Sequence, residues 1–166
     1  MAIVQKITPC LWFDHQAEQA ARFYVSIFGN SAIETITHYG REGFEQHGKP
    51  AGSVLTVSFR LEGQSFTALN GGPQFPLSPA VSLVVHCDSQ DEVDAYWDKL
   101  GAGGDPKWQA CGWLQDKFGL SWQIVPEALL AMLTAKDPIR SERAMKALLQ
   151  MKKLDLAALQ RAYDGR

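Results

Sequence analysis

The sequence predicts an α+β fold in which two βαβββ modules run in tandem and C-terminal helices follow. Three observations carry this. The order strand, helix, strands is read twice along the chain. Residues of the first module reappear at fixed offsets in the second. After Pro126 the pattern turns to short amphipathic helices.

In the first module, Ile3 to Phe13 alternates as a strand, and Asp14 to Phe28 places Ala20, Phe23, Tyr24, Ile27 and Phe28 at helical spacing. Gly29 and Asn30 stop that helix. Strand-like runs follow over Ala32 to Tyr39, Ser53 to Leu61 and Ser65 to Leu69, the last two joined by a tight turn at Glu62-Gly63-Gln64. Gly40 to Gly52 reads as a polar loop. The second module opens with a strand over Val81 to Cys87. Ser89 with Glu92 three residues on is a capping-box signature, and the helix it opens buries Val93, Tyr96, Trp97 and Leu100. Beyond Gly101 to Asp105 come short runs around Gly112 to Gln115 and Ser121 to Val125, separated by Asp116-Lys117-Phe118-Gly119.

The repeat is visible in the residues themselves. Asp14, Gln16, Glu18, Ala21 and Phe23 reappear 74 residues later as Asp88, Gln90, Glu92, Ala95 and Trp97. Chance gives two such matches, hardly five. A second register, offset by 56, pairs Gly63, Ser65 and Phe66 with Gly119, Ser121 and Trp122, so the second copy has lost a loop like Gly40 to Gly52. The modules are placed at 3–71 and 80–126, within a domain spanning 1–126; an extension spans 127–166. In that extension Pro126 begins a short helix ending near Leu133, and Asp137-Pro138 begins a second carrying Ile139, Met145, Leu148 and Met151. A third bears Leu156, Leu159 and Tyr163 and stops at Gly165.

Composition narrows the function classes. At 166 residues and 46% hydrophobic, the chain builds one sizeable core or two small fused ones. A formal net charge of -2 provides no basic field for nucleic acid. Lys136 to Arg166 carries eight basic against four acidic residues, but these are interleaved on amphipathic helices and read as a solvated surface. Cys10, Cys87 and Cys111 are odd in number and lack Cys-x-x-Cys spacing, as expected of reduced cytoplasmic thiols. No leader or membrane span is expected.

Three segments carry a family resemblance: Phe66-Thr-Ala-Leu-Asn-Gly-Gly-Pro73, Gln90 to Trp97, and Cys111-Gly-Trp-Leu-Gln-Asp-Lys-Phe-Gly-Leu-Ser-Trp-Gln-Ile-Val-Pro126. Together they resemble the PhnB-like branch of the vicinal-oxygen-chelate superfamily, which includes glyoxalase I, extradiol dioxygenases and bleomycin-resistance proteins. The resemblance implies a U-shaped mixed sheet, a homodimer, and a ligand held inside the U. It also implies a divalent metal on four side chains, which here carry over to Thr8, Leu69, Ser82 and Val125. Leu and Val offer no donor, and neutral hydroxyls are poor substitutes for imidazole and carboxylate, so no metal cofactor is expected there. A relocated site using His38, His47 or His86 stays open as an alternative.

Strand parity then nominates a ligand pocket. Thr8 places Cys10 and Trp12 inward and sends Ile7, Pro9, Leu11 and Phe13 toward the helix; Ser82 likewise places Val84 and His86 inward and sends Val81, Leu83, Val85 and Cys87 outward. Thr67, Leu69 and Gln123 join from the last strands. Gln123 and Asn70 could orient a ligand carbonyl, and plainer readings stand beside the functional ones: Cys10 as a small buried hydrophobe, His86 as a core histidine, Asn70 equally as a turn residue and Asp116 as the anchor of a structural loop.

Relatives are labelled 3-demethylubiquinone-9 3-methyltransferase. That chemistry needs a glycine-rich turn directly after a strand, whereas Gly101-Ala-Gly-Gly104 follows a helix and reads as its stop. The expectation is therefore a protein that binds a small organic molecule without the usual metal. The alternative is an enzyme of the superfamily acting on a small metabolite, by a relocated metal or by metal-free acid/base chemistry.

Overall fold

Burial alternates strictly along the short strand β1 (Cys10–Phe13), with Leu11 and Phe13 buried and Cys10 and Trp12 more open. This strand begins the first of two units in the structure, a computed structural model that describes residues 5–166; the first unit ends at Leu77 and the second runs from Ser78 to Arg166. After β1 the first unit contains α1 (Ala17–Ile27), β2 (Ala32–His38), a short α2 (Phe44–His47) inside the polar loop, β3 (Val54–Leu61) and β4 (Gln64–Asn70). The sheet order is β1-β4-β3-β2, with β1 parallel to β4 and the other pairs antiparallel.

One face of this sheet is covered by α1. Ala17, Ala20 and Ala21 have no solvent exposure, and their small side chains let the helix approach Val57, Phe59, Phe66 and Ala68 closely. Tyr24 stacks on Phe59, whose ring is 5.5 Å from that of Phe66. The β3–β4 turn is the expected tight one: Leu61 pairs with Gln64, and Glu62 and Gly63 both take left-handed φ values of 46° and 81°.

The first strand is shorter than the sequence predicts. Ile3 and Val4 lie outside the described residues, while Ile7 is 85% exposed and Thr8 is exposed ahead of β1. Pro9 explains the late start. Its carbonyl accepts from Thr67 N at 2.9 Å, but it has no N–H to extend the ladder. Gln5 serves the next position through its side chain, accepting from Ser65 N at 3.0 Å and donating to Ser65 O at 3.3 Å.

The second unit holds β5 (Ser82–Cys87), α3 (Gln90–Gly101), β6 (Trp113–Gln115) and β7 (Ser121–Pro126), in sheet order β5-β7-β6. Its sheet has three strands; where the first unit has β2, the second has a 3-10 turn over Pro106–Trp108 and an isolated bridge between Ala110 and Trp113. The strand registers carry the repeat. Trp12 pairs with Leu69 and His86 with Val125, and the offsets of 74 and 56 map the first pair onto the second. The capping box forms as expected, with Ser89 Oγ accepting from Glu92 N and Glu92 Oε2 from Asp88 N. Val81 departs from expectation: it lies just before β5 and is 67% exposed.

Helices α4 (Glu127–Leu133), α5 (Pro138–Leu148) and α6 (Leu156–Asp164) complete this unit. Leu129, Met132, Ala144, Leu154 and Leu159 form their core, with Val125 of β7 packed against it. Ile139 and Met145, expected on the buried stripe, are exposed instead, because Ala144, Ala147 and Leu148 occupy the inward side of α5. The segment before α6 is tied to the sheet: Cys111 N donates to Met151 O at 2.7 Å, Gly112 N donates to Lys152 O at 2.8 Å, and the Gln90 side chain bonds Leu154 O and Leu156 N. Among the described residues no helix is long and apolar enough to cross a membrane.

Candidate functional site

Each sheet has one face covered by its helix and a second face outside that cover, and parity sorts the candidates onto the second. In the first unit Trp12, Thr67 and Leu69 are half-buried and Cys10 is exposed, while Leu11, Phe13, Phe66 and Ala68 pack toward α1. Cys10 stands opposite Thr67. Thr8, ahead of β1, has no place in that ladder. Partial burial pushes the Cys10 thiol above its usual pKa, the opposite of what activates a nucleophile.

Trp12 is held rather than free. Its Nε1 donates to Gly72 O at 2.8 Å, and Phe75 meets its ring edge-on with centroids 5.1 Å apart. A Cβ on Gly71 would lie 2.2 Å from the indole, so only glycine lets this loop close over it. Asn70 is bound into the fold, and it also lines a pocket with Lys49, Ser53 and Val54. Its buried amide accepts from Ala17 N at 2.8 Å and donates to Val54 O at 3.0 Å, and its carbonyl accepts from Tyr39 Oη.

In the second unit Ser82, Val84 and His86 lie along β5 opposite Ser121, Gln123 and Val125 of β7. Gln123 Nε2 donates to Ser82 Oγ at 2.9 Å. His86 Nδ1 is 2.7 Å from Glu127 Oε1, both side chains about half exposed. With a carboxylate on Nδ1, that nitrogen carries the proton of the neutral ring, and Nε2 is left as the basic atom. Glu127 is not among the residues that strand parity nominates. The signal was present: the repeat sets His86 level with Val125, and Glu127 follows two residues on with the same parity. Two other groups prove structural. Cys87 is buried, and desolvation, then Glu92 and Asp88, push its thiol to about 11. Asp116 is 3% exposed, accepting from Phe118 N and Leu120 N through Oδ1 and from Trp122 Nε1 through Oδ2.

The positions that hold a metal in the superfamily do not fit one here. Leu69 and Val125 have no donor atoms, and the Ser82 hydroxyl is engaged by Gln123. Ser82 also pairs with Ser121, which is about 13 Å along the strand from Val125. Among the described residues no three His, Cys, Asp or Glu side chains cluster as metal ligands. His47 rests on the Tyr39 ring with centroids 4.4 Å apart, its Nδ1 accepting from Lys49 N.

A parallel first-to-last strand pair, one helix over the sheet and a module repeated in register define a duplicated strand-helix-strand protein. The sequence family described as 3-demethylubiquinone-9 3-methyltransferase matches residues 5–125, and the chain belongs to that family. A solved structure from Bacillus cereus, described as a 3-demethylubiquinone-9 3-methyltransferase and PhnB protein, is 35% identical; the match covers 74% of this chain and 99% of that one at a TM-score of 0.63. A Pseudomonas aeruginosa protein shares the fold at 20% identity and a TM-score of 0.56, over 74% of this chain and 98% of its own. Among curated proteins none matches the chain.

Proposed function

We propose that the chain binds a small organic molecule on the sheet faces opposite α1 and α3, without the metal of the wider superfamily. The candidate ligand residues are Thr8, Cys10, Trp12, Thr67 and Leu69 in the first module, taken by itself, and Ser82, Val84, His86 and Gln123 in the second. The observation that carries this reading is the face of the second sheet opposite α3, where apolar Val84 lies beside the Ser82–Gln123 pair and the His86–Glu127 pair. Apolar walls with a few oriented polar groups suit a small organic ligand. The methyltransferase activity in the family description is not adopted. The glycine-rich segment closes α3 instead of following a strand.

Residues 1–126 are the ligand-binding domain and 127–166 an extension. The working form is a homodimer, supported by Ile139, Met145 and Leu149, which remain exposed on and just after α5. The free thiols Cys10, Cys87 and Cys111 support a cytoplasmic setting. Native mass spectrometry of the purified chain, with elemental analysis, is the test. A retained organic ligand without stoichiometric metal is expected, and one equivalent of a transition metal overturns the reading.

A second reading, metal-free acid/base catalysis on a small metabolite, is favoured by one feature. A histidine oriented through Nδ1 by a carboxylate presents Nε2 as a proton acceptor. Turnover of a retained ligand that is lost in both His86→Gln and Glu127→Gln supports this reading; turnover unchanged in both removes it.

A further inference from the structure

The second unit contains a pocket of about 330 Å³ whose lining includes Trp108, Trp113, Cys111, Ser121, Leu114 and Pro79. Ser121 pairs with Ser82 and Trp113 with Gln123, so this pocket adjoins the face assigned above in the second unit, but it is defined by its own lining and does not depend on that reading. Its volume is near the lower end for small-molecule sites and limits an occupant to one or two fused rings. Its chemistry is narrow. The lining has two indoles, two aliphatic side chains (Ala110 and Leu114) and a proline, no ionisable side chain other than a thiol, and one hydroxyl. No carboxylate pairs with a cationic ligand there, and the Lys107 ammonium already lies 5.6 Å from the Trp108 ring centroid.

A second observation points to the same place. Cys111 and Gly112 form the two-residue turn between Ala110 and Trp113, with backbone hydrogen bonds in both directions between these flanking residues. Both turn residues are left-handed, with φ of 53° and 83°. Asn or Asp with Gly is the usual pair in such a turn, so cysteine at the first position is held against its preference. The restraint comes from the C-terminal extension, where Met151 O and Lys152 O accept the Cys111 and Gly112 N–H groups at 2.7 and 2.8 Å. Leu154 packs against the same turn, 3.1 Å from where a Gly112 Cβ would be.

We propose that this pocket binds a neutral, flat aromatic molecule of one or two fused rings, and that the C-terminal segment shapes it by holding the Cys111-Gly112 turn. Flat rings gain from offset or edge-on packing with indoles, while a saturated ring of equal size gains burial alone. Occupancy presses on Trp113 and Cys111, next to the turn that the tail carbonyls hold. Binding therefore tightens the docking of the tail.

The test uses the full chain and 2-naphthol, with decahydro-2-naphthol and 2-naphthyltrimethylammonium as saturated and cationic controls. Calorimetry is expected to give at least tenfold tighter binding for 2-naphthol than for either control. Trp108→Ala, at a 42% exposed position where folding is safe, should weaken it at least fivefold. Trp113→Ala should weaken it at least tenfold. Indole N–H resonances of Trp108 and Trp113 should shift while that of buried Trp122 stays. Bound 2-naphthol should slow amide exchange of Cys111 and Gly112 at least threefold. Equal affinity for the three probes, or an unshifted pair of indoles, overturns the site; unchanged exchange at Cys111 and Gly112 overturns the role of the tail.

Discussion

His86 Nδ1 stands 2.7 Å from Glu127 Oε1, joining the fifth strand to the first residue of the C-terminal extension. The pair fixes a tautomer. Long-range proton–nitrogen NMR of the native chain should find the His86 proton on Nδ1, and Glu127→Gln should move a substantial fraction of it to Nε2. A neutral native His86 with its proton on Nε2 alone shows that the pair does not form in solution.

Asn70 fastens two elements at once, so its loss should be costly. Asn70→Ala leaves buried Ala17 N and part-buried Val54 O without their partner, a cost of about 2 to 4 kcal/mol for the two groups. Urea denaturation should show a matching fall in midpoint with an unchanged slope. A midpoint within error of the parent rules out the clamp.

The tail depends on Gln90, which bonds Leu154 O and Leu156 N. Gln90→Ala should speed amide exchange at Leu156 and open the segment before α6 to proteolysis. Truncation after Leu133 removes Ala144, Leu154 and Leu159 from the shared core. Each buried leucine contributes roughly 1.5 to 3 kcal/mol, so a lower melting temperature or aggregation is expected. Identical melting and light scattering for the truncated and full chains would deny the tail a structural role.

Acid should loosen the same region. Lys153, then Gln90, holds the Asp94 carboxyl below its usual range, and Gln160, then Arg140, does the same for Asp164. For depressed carboxylates the stabilisation is complete above the unfolded value of about 3.9 and is lost as pH falls through the lower folded value. Asp94 in turn raises Lys153, whose contribution is present below about 10.4 and lost as pH rises past the folded value. Asp94→Asn should therefore lose less stability than the parent between about pH 5 and 2, with the difference shrinking in 1 M salt. Parallel melting curves across that range count against the Asp94–Lys153 link.

What the sequence disclosed was mostly periodic or locally signed. The Ser89–Glu92 box, the Asp137-Pro138 start and the Gly165 stop each place their signal within a few residues of the structure they cause. Parity separated Leu11 from Trp12 and Val85 from His86, because side chains alternate whatever the strand pairs with. The rest depends on partners distant in sequence. Thr8 falls outside β1 because pairing starts only at Cys10, and Ile139 is exposed because alanines fill the inward side of α5. The left-handed Cys111 carries no local signal, since the carbonyls that restrain it lie forty residues downstream.

The two modules start their helices differently, which predicts an order of assembly. α3 carries its cap within its own first turn, so it can nucleate before any strand has paired. α1 has no side-chain cap from its own first turn, and its first N–H waits for Asn70 at the far end of β4. In kinetic terms, Ser89→Ala should act on the folding limb of a chevron, while Asn70→Ala should leave folding nearly unchanged and speed unfolding. Duplication copied the shape of the module, and the difference in capping gives the copies separate positions in time.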